Sequence, residues 1–466
     1  MNVLLVSPNL QLATLIPSNI GLLAGCLTRA GFNVKLFDTT FYKTKNKSYD
    51  EKRVEMGHYK SALNVEYLTT DIYDDFKKLV DEFKPKVIGF SVVDATYPLA
   101  VKLLNHIKPE NNAHIIFGGI TCTLNPEFVI KTPYVNSICV GEGEGALVEL
   151  CENIRDHKAT IKIPNLWFNC CFGLVRQNKC RPLVDINTIP YEDFSVFDDK
   201  RFLRPIQGVD RKVLPIMIDR GCPNSCKFCA APALYKFSID NNLGNNFRIR
   251  SIENIKKYMR FMVDKYKPEA IYFNSETFFA RPQKHILEFA DFYKTEIGLP
   301  YNCMSRIETI NETTARVLQE TGCDWIVIGI EHGNEKFRNS MNKSYTNEQA
   351  INAFKILNKY KIRVTLLNMV GFPDETPELA QETINLNVNL TRGYSGDVTH
   401  SISIFQPYFG TVMRDECISK GYINKDDIPD GTLIDNTILN MPNFTKQQIY
   451  DFTRDFVKNV NSMKIS

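Results

Sequence analysis

Three cysteines constrain this chain most: Cys222, Cys226 and Cys229, in the stretch Asp219-Arg220-Gly221-Cys222-Pro223-Asn224-Ser225-Cys226-Lys227-Phe228-Cys229. The apolar run at 213–218 reads as a strand, so the C-x3-C-x2-C spacing falls on the loop that leaves it. Thiolates are soft ligands, and cysteines this close can converge on one centre. Structural zinc normally takes four protein ligands, and a simple [4Fe–4S] cluster takes four cysteines. The local set stops at three. On a cubane cluster that leaves one iron open to a ligand from outside the protein, which points to chemistry rather than bracing. The alternatives are zinc with a remote fourth ligand, or three unrelated cysteines. Phe228, between the second and third cysteines, fits a ring packed beside a bound cofactor.

The rest of the composition narrows the setting. A length of 466 residues allows two or three domains. Hydrophobic content of 44% and charged content of 23% are those of a soluble globular protein. A net charge of +3 is too small for a nucleic-acid field. No apolar run nears the roughly 20 residues of a membrane span. The opening Met1-Asn2-Val3-Leu4-Leu5-Val6 reads as a strand without a basic leader, so a cytoplasmic protein is expected. Thirteen cysteines, an odd number scattered over a long chain, do not make a disulfide framework. Cys170-Cys171 and Cys180 form a second loose group, but adjacent cysteines do not easily share one metal.

Residues 1–157 alternate strands (3–7, 33–37, 86–92, 114–117, 137–140) with helices (18–29, 71–83, 97–107, 126–130, 145–155). Ser18 is the expected cap of the first helix, and the polar stretch 43–68 reads as an exposed insertion. This alternation predicts a doubly wound parallel sheet, whose ligands sit off the carboxyl ends of the strands. Those ends carry Ser7, then Ser91, Asp94 and Thr96, then Gly118 and Gly119, then Gly141 and Glu142. Paired glycines let a large flat ligand approach the backbone. No G-x-G-x-x-G lies in the first strand–helix turn, which disfavours a nicotinamide dinucleotide.

Residues 158–212 read as an ordered connector, with a hairpin from 166–175 and 178–184. Residues 213–411 alternate again, with strands at 213–218, 270–273, 302–305, 325–330, 363–369 and 401–405. Their helices lie at 251–266, 282–295, 312–319, 347–360 and 377–390. Six strand–helix units predict a partial (β/α)6 barrel, since a full barrel takes about 250 residues. Residues 412–466 form a helical C-terminal region, with Thr445 capping a helix at 446–460. The fold class expected is α/β: a Rossmann-like sheet, then a partial barrel, then a helical tail.

Barrel sites gather at the carboxyl ends of the strands. After the second strand come Ser275 and Glu276, able to accept from an ammonium. After the third comes Arg306, able to bridge a carboxylate or to pair with Glu308. After the fourth comes Glu331, a ribose acceptor by position, next to His332, which reads as structural. After the fifth, Gly371-Phe372-Pro373-Asp374-Glu375-Thr376 reads as a turn and a helix cap. After the sixth come Gln406 and Tyr408, the latter a candidate radical or proton donor.

The cysteine stretch resembles the C-x3-C-x-aromatic-C signature of the radical S-adenosylmethionine enzymes. Gly329-Ile330-Glu331-His332-Gly333 is similar to that family's Gly-Ile-Glu-x-Gly. Gly118-Gly119, Pro126-Glu127 and Gly141-Glu142-Gly143-Glu144 resemble the cobalamin-binding domain that precedes many such cores. The resemblance implies a [4Fe–4S] cluster on Cys222, Cys226 and Cys229. It implies S-adenosylmethionine near Phe228, Ser275, Glu276, Arg306, Glu331 and Gln406, and cobalamin on the first sheet. It departs in three places: Asn274-Ser275-Glu276 stands for Gly-Gly-Glu, Gln406 and Phe409 depart from a Pro-x-Pro-Gly-Thr stretch, and D-x-H-x-x-G, the source of a lower cobalt ligand, is absent. The implied activity is methylation of an unactivated carbon through a 5′-deoxyadenosyl radical and methylcobalamin. The partners implied are a small-molecule or peptide substrate and an electron donor such as flavodoxin or ferredoxin. Rearrangement or cyclisation, a methylthiotransferase and a non-enzymatic cobalamin or redox sensor are the alternatives.

Overall fold

The computed structural model describes residues 1–12, 15–107, 112–170, 173–206, 208–429 and 433–465. Cys171, part of the second cysteine group considered above, lies outside them. The chain divides into two compact units. The first comprises residues 1–49, 64–201 and 236–246, the second residues 50–63, 202–235 and 247–466.

The first unit is built on a seven-stranded sheet. Its strands are β1 Asn2–Ser7, β2 Asn33–Asp38, β3 Val87–Ser91, β4 His114–Gly118, β5 Ser137–Cys139, β6 Leu166–Asn169 and β7 Val175–Gln177. Their order is β2-β1-β3-β4-β5-β6-β7, with the first five parallel and the last two antiparallel. Val87–Ser91 is a nearly continuous buried run, as expected of a parallel strand covered on both faces. The chain switches direction across the sheet between β1 and β3, which opens a crevice at their carboxyl ends. Ser7 and Ser91 stand there, each one residue beyond the paired Val6 and Phe90.

Several local expectations are corrected. The first helix is Ser18–Arg29, but its N-cap is Pro17, and Ser18 is already helical without a capping bond. Asp71 does cap Ile72–Phe83, accepting from the amides of Tyr73 and Asp74. The expected hairpin pairs β6 with β7 and extends the first sheet; 178–184 forms no strand. The stretch 43–68 is not an exposed insertion. It holds the helix Tyr49–Glu55, and Ser48, Asp50, Arg53 and His58 are buried. Its polar composition misled because the charges find partners. Arg53 donates to Ser401 Oγ at 2.6 Å and Ser403 Oγ at 2.9 Å, and Lys52 pairs with Asp435 at 2.6 Å.

The second unit holds β8 Leu203–Ile206 and β9 Val209–Ile216, then β10 Asp219–Arg220 and β11 Arg248–Ile249. The remaining strands are β12 Ala270–Phe273, β13 Tyr301–Ser305, β14 Cys323–Glu331, β15 Val364–Val370 and β16 Val398–Ile404. β10 and β11 pair alone; the others form one sheet in the order β16-β15-β14-β13-β12-β9-β8. From β9 to β16 these are six parallel strands in chain order, with β8 antiparallel at the edge. This is the open half-barrel expected. Its helix-facing side is apolar: Val370, Ile402 and Ile404 pack with Ile384, Val388 and the C-terminal helix residues Phe456 and Val460. That helix runs Lys446–Ile465, and Thr445 caps it by accepting from the Gln448 amide. Ala230–Asp240 and Glu335–Ser340 escaped the periodicity reading, whereas Val412–Ser419 falls in the tail read as helical. Glu335–Ser340 is a turn and a half long, too short to show a 3.6-residue period.

Candidate active site: a cysteine loop and two strand-end faces

The β10–β11 pair carries the chain away from the barrel strands and delivers the cysteine loop. Gly221 takes φ +85°, a left-handed bend open to glycine. The loop is tied down from both sides. The Lys227 amide donates to Met341 O at 3.0 Å, the Met413 amide to Lys227 O at 3.2 Å, and Asn342 Nδ2 to Ser225 O at 3.3 Å. Phe228 packs against the ring of Phe372 at 5.9 Å, on the barrel core, so it anchors the loop.

Each thiol has a donor or hydroxyl beside it. Asn224 Nδ2 donates to Cys222 Sγ at 3.3 Å, Thr277 Oγ1 lies 3.8 Å from the same sulfur, Arg306 Nη1 donates to Cys226 Sγ at 3.0 Å, and the Ala231 amide to Cys229 Sγ at 3.4 Å. Burial pushes the Cys229 thiol up to about 12, and the Glu276 carboxylate and the other two sulfurs push the same way. A bound cation reverses that balance and makes such thiols ligands. Among the described residues no three His, Cys, Asp or Glu side chains converge as on a single ion. Three thiols are one short of the closed ligand set of a structural zinc, so the donor set fits a cluster with an open iron.

The strand ends gather around this loop. Ser275 is buried and donates to Asp219 Oδ2 at 2.9 Å; Asp219 also pairs with buried Arg281. Burial raises Asp219 to about 6, with Arg281 pulling it back. This Asp219–Arg281 pair was not read from the sequence, since the two are 62 positions apart. Glu276 is solvent-accessible, yet the surrounding protein raises its carboxyl, as on the wall of a concavity. Arg306 is buried between Cys226 and Glu308, donating to the latter at 2.6 Å. Burial opposes its charge, but the Glu308 hydrogen bond and the Cys226 sulfur prevail and raise its pKa.

Glu331 ends β14 at φ +64°, beyond a register shift, and its Oε1 accepts from buried Lys343 Nζ at 2.5 Å. A Cβ on Gly329 would lie 2.3 Å from that Oε1, so glycine makes room for the pair. His332 is structural as read: it is fully buried, 3.2 Å from Glu375. Glu375 accepts from the amides of Gly371 and Phe372, and Thr376 caps Pro377–Thr391. Gln406 is buried, its amide donating to Asn436 O at 2.9 Å while Oε1 has no donor. Tyr408 is half-buried in the turn that follows.

On the first sheet, polar groups at the carboxyl ends satisfy one another. Ser91 Oγ accepts from Asn19 Nδ2 at 2.7 Å, and buried Asp94 accepts from Thr121 Oγ1 at 2.6 Å. Thr96 Oγ1 accepts from the Val93 amide at 3.1 Å, and Glu142 accepts from the Val184 amide at 2.8 Å. Ser7 is buried. Gly118 is partly exposed at the end of β4. Gly119 takes φ +107°, and a Cβ there would meet Val92 O at 2.4 Å. Gly141 takes φ +85° with Asn165 Nδ2 3.1 Å from its virtual Cβ. At Gly119 and Gly141 the missing side chain leaves room for the protein's own Val92 carbonyl and Asn165, and Val93, next to Val92, is exposed.

Residues 216–386 match the family model of the radical SAM superfamily, and residues 13–151 match that of the B12 binding domain. The chain is 25% identical over 385 residues to an uncharacterised methyltransferase of Pyrococcus horikoshii, covering 82% of this chain and 80% of that one. It is 22% identical over 351 residues to the anaerobic magnesium-protoporphyrin IX monomethyl ester cyclase of Rubrivivax gelatinosus, covering 72% of this chain and 60% of the cyclase. The fold is similar to that of TsrM from Kitasatospora setae, a radical S-adenosylmethionine methyltransferase solved with cobalamin and a [4Fe–4S] cluster. That match has a TM-score of 0.63 and 18% identity, and covers 90% of this chain and 78% of TsrM.

Proposed function

We propose that this chain, which belongs to the radical S-adenosylmethionine proteins carrying a B12-binding domain, methylates an unactivated carbon of a small-molecule or peptide substrate. The observation that carries the reading is the three-thiol loop with its open ligand count, in one chain with a sheet whose carboxyl ends carry Gly118, Gly119 and Gly141. When bound, the cluster supplies the electron that cleaves S-adenosylmethionine to a carbon radical, and cobalamin supplies a transferable methyl group.

Cys222, Cys226 and Cys229 hold the cluster. Arg306 holds the Cys226 sulfur and balances its charge. Glu276 offers a carboxylate to a cationic group beside the loop, while Ser275 is committed to Asp219 and acts by fixing that strand end. Glu331 offers one oxygen to a ligand while Lys343 holds the other. Gln406 Oε1 is a free acceptor at the end of β16. Ser7, Ser91, Asp94, Thr96, Gly118, Gly119, Gly141 and Glu142 shape the first sheet's ligand face. Tyr408 is the candidate donor that quenches a radical. An electron donor of the flavodoxin or ferredoxin kind supplies the electrons. Among the described residues no helix is long and apolar enough to cross a membrane.

The likeness to a cyclase supports a second reading, ring formation without methyl transfer. The test is anaerobic turnover of full-length protein with S-adenosylmethionine, dithionite and candidate substrates, followed by mass spectrometry. Methyl transfer predicts 5′-deoxyadenosine together with S-adenosylhomocysteine and a product heavier by one methyl. Deoxyadenosine alone, with a product lighter by hydrogen, supports the cyclase reading and overturns methylation.

A further inference from the structure

The concave side of the half-barrel is not filled as a closed barrel's interior is. Along β15 burial alternates: helix-facing Val364, Leu366, Asn368 and Val370 are buried, while inward Thr365, Leu367 and Met369 are half-exposed. Trp325 and Val327 on β14 follow the same rule. Part of the inward side, at Thr365, Leu367, Trp325 and Val327, is therefore left partly accessible.

Arg204 reaches this side from β8. Ile206, two residues on, clusters with Val213, Ala270, Tyr272 and Trp325, so strand alternation puts Arg204 on the same face. Its guanidinium lies 5.4 Å from the Tyr272 ring centroid, and Nη1 is buried with no acceptor. Asn302, paired with Tyr272 across the strands, has a buried Oδ1 without a donor. Arg53 comes in from Tyr49–Glu55, fixed on Ser401 and Ser403. Asp50 feels both arginines, and its carboxyl is raised to about 6, burial outweighing their attraction. Two guanidinium charges thus face the one Asp50 carboxylate. The Glu276 carboxylate acts on both Tyr272 and the Cys229 thiol, raising each.

We propose that this edge of the inward side binds a carboxylate of the substrate, with Arg204 as its principal donor. The inference rests on the reading that the half-barrel holds the substrate. A planar guanidinium offers a fork of N–H groups that a carboxylate meets with two parallel hydrogen bonds. A monoanion balances the surplus of one positive charge; a doubly charged phosphate would leave the site net negative beside Asp50. Asn302 Oδ1 is an acceptor, so it pairs with a hydroxyl or amine elsewhere on the substrate and not with the carboxylate itself.

The test is saturation-transfer NMR on the full-length protein holding its cluster, with hexanoate and hexanamide as probes. Hexanoate is expected to receive saturation and hexanamide far less. Arg204→Gln is expected to weaken hexanoate binding at least about tenfold, and Arg204→Lys, which keeps charge but not the fork, by less. Iron content and circular dichroism establish that each variant is folded. If Arg204→Gln does not fold, Tyr272→Leu tests the ring contact of Arg204, with weaker hexanoate binding expected. Equal saturation of the two probes, or unchanged hexanoate binding in a folded Arg204→Gln or Tyr272→Leu protein, overturns the proposal. The readout does not involve turnover, so failure of methyl transfer leaves this result standing, and the reverse.

Discussion

On the first sheet Asp94 meets Thr121, Glu142 meets the Val184 amide and Ser91 meets Asn19, and one ion pair, Arg201 with Asp38 at the end of β2, is buried among these short neutral or singly charged contacts. At the second sheet's carboxyl ends, charges face charges: Asp219 with Arg281, Glu331 with Lys343 and Arg306 with Glu308, all wholly or largely buried. Among these described residues, the first face thus has one ion pair amid mostly uncharged contacts, and the second has three. A mostly uncharged face suits a large ligand that brings its own reactivity. Fixed ion pairs suit a site where charge must be placed beside a cluster and a charged cosubstrate. The difference predicts that steric changes injure the first face and charge changes the second.

The largest effect is expected where the second site meets its cofactor. Replacing Cys222, Cys226 and Cys229 together with alanine removes about four irons and all formation of deoxyadenosine. Retained cleavage would break the assignment of the loop. Next is the steric test of the first face. Gly119→Val places a side chain against Val92 O at a backbone angle hostile to branched residues, and should abolish detectable cobalamin uptake while the iron content stays at the parent's level. Unchanged uptake would remove Gly119 from the ligand face.

A double-mutant cycle sharpens the electrostatic side. Glu331→Gln leaves Lys343 buried and unpaired, and should cost about 3–5 kcal/mol in urea unfolding, with Lys343→Met in the same chain recovering most of it. Additive losses would show that the two do not act as a pair. The smallest effect is a pH dependence in the first unit. Burial lowers His114 to about 4, below its unfolded value near 6.5. The unfolded state therefore takes up the proton first, and stability falls as pH drops from 6.5 towards 4. His114→Gln should flatten that part of the melting-temperature profile; an unchanged slope would assign the dependence to other groups.

Much of the architecture was legible because both sheets obey short-range rules. Buried apolar runs such as Val87–Ser91, caps such as Thr376 and Thr445, and the spacing of three cysteines are local signals. The failures share a cause: partners distant in sequence. Arg53 reads as a surface residue until Ser401 and Ser403 are folded beside it, and Arg281 until Asp219 is. Lys343 likewise gives no sign that Gly329 has made room for it beside Glu331. The strand-end residues were placed by topology, but what each holds was not readable. Ser275 and Asp94 turn out to be engaged by the protein itself, while Gln406 keeps a buried oxygen without a donor.

The most direct test of methyl transfer is the cofactor content of the full-length protein, purified anaerobically with cobalamin supplied and read by absorbance, mass spectrometry and iron analysis. The account predicts close to one cobalamin per chain together with about four irons. An intact cluster with no cobalamin bound would contradict methyl transfer and leave radical chemistry without it.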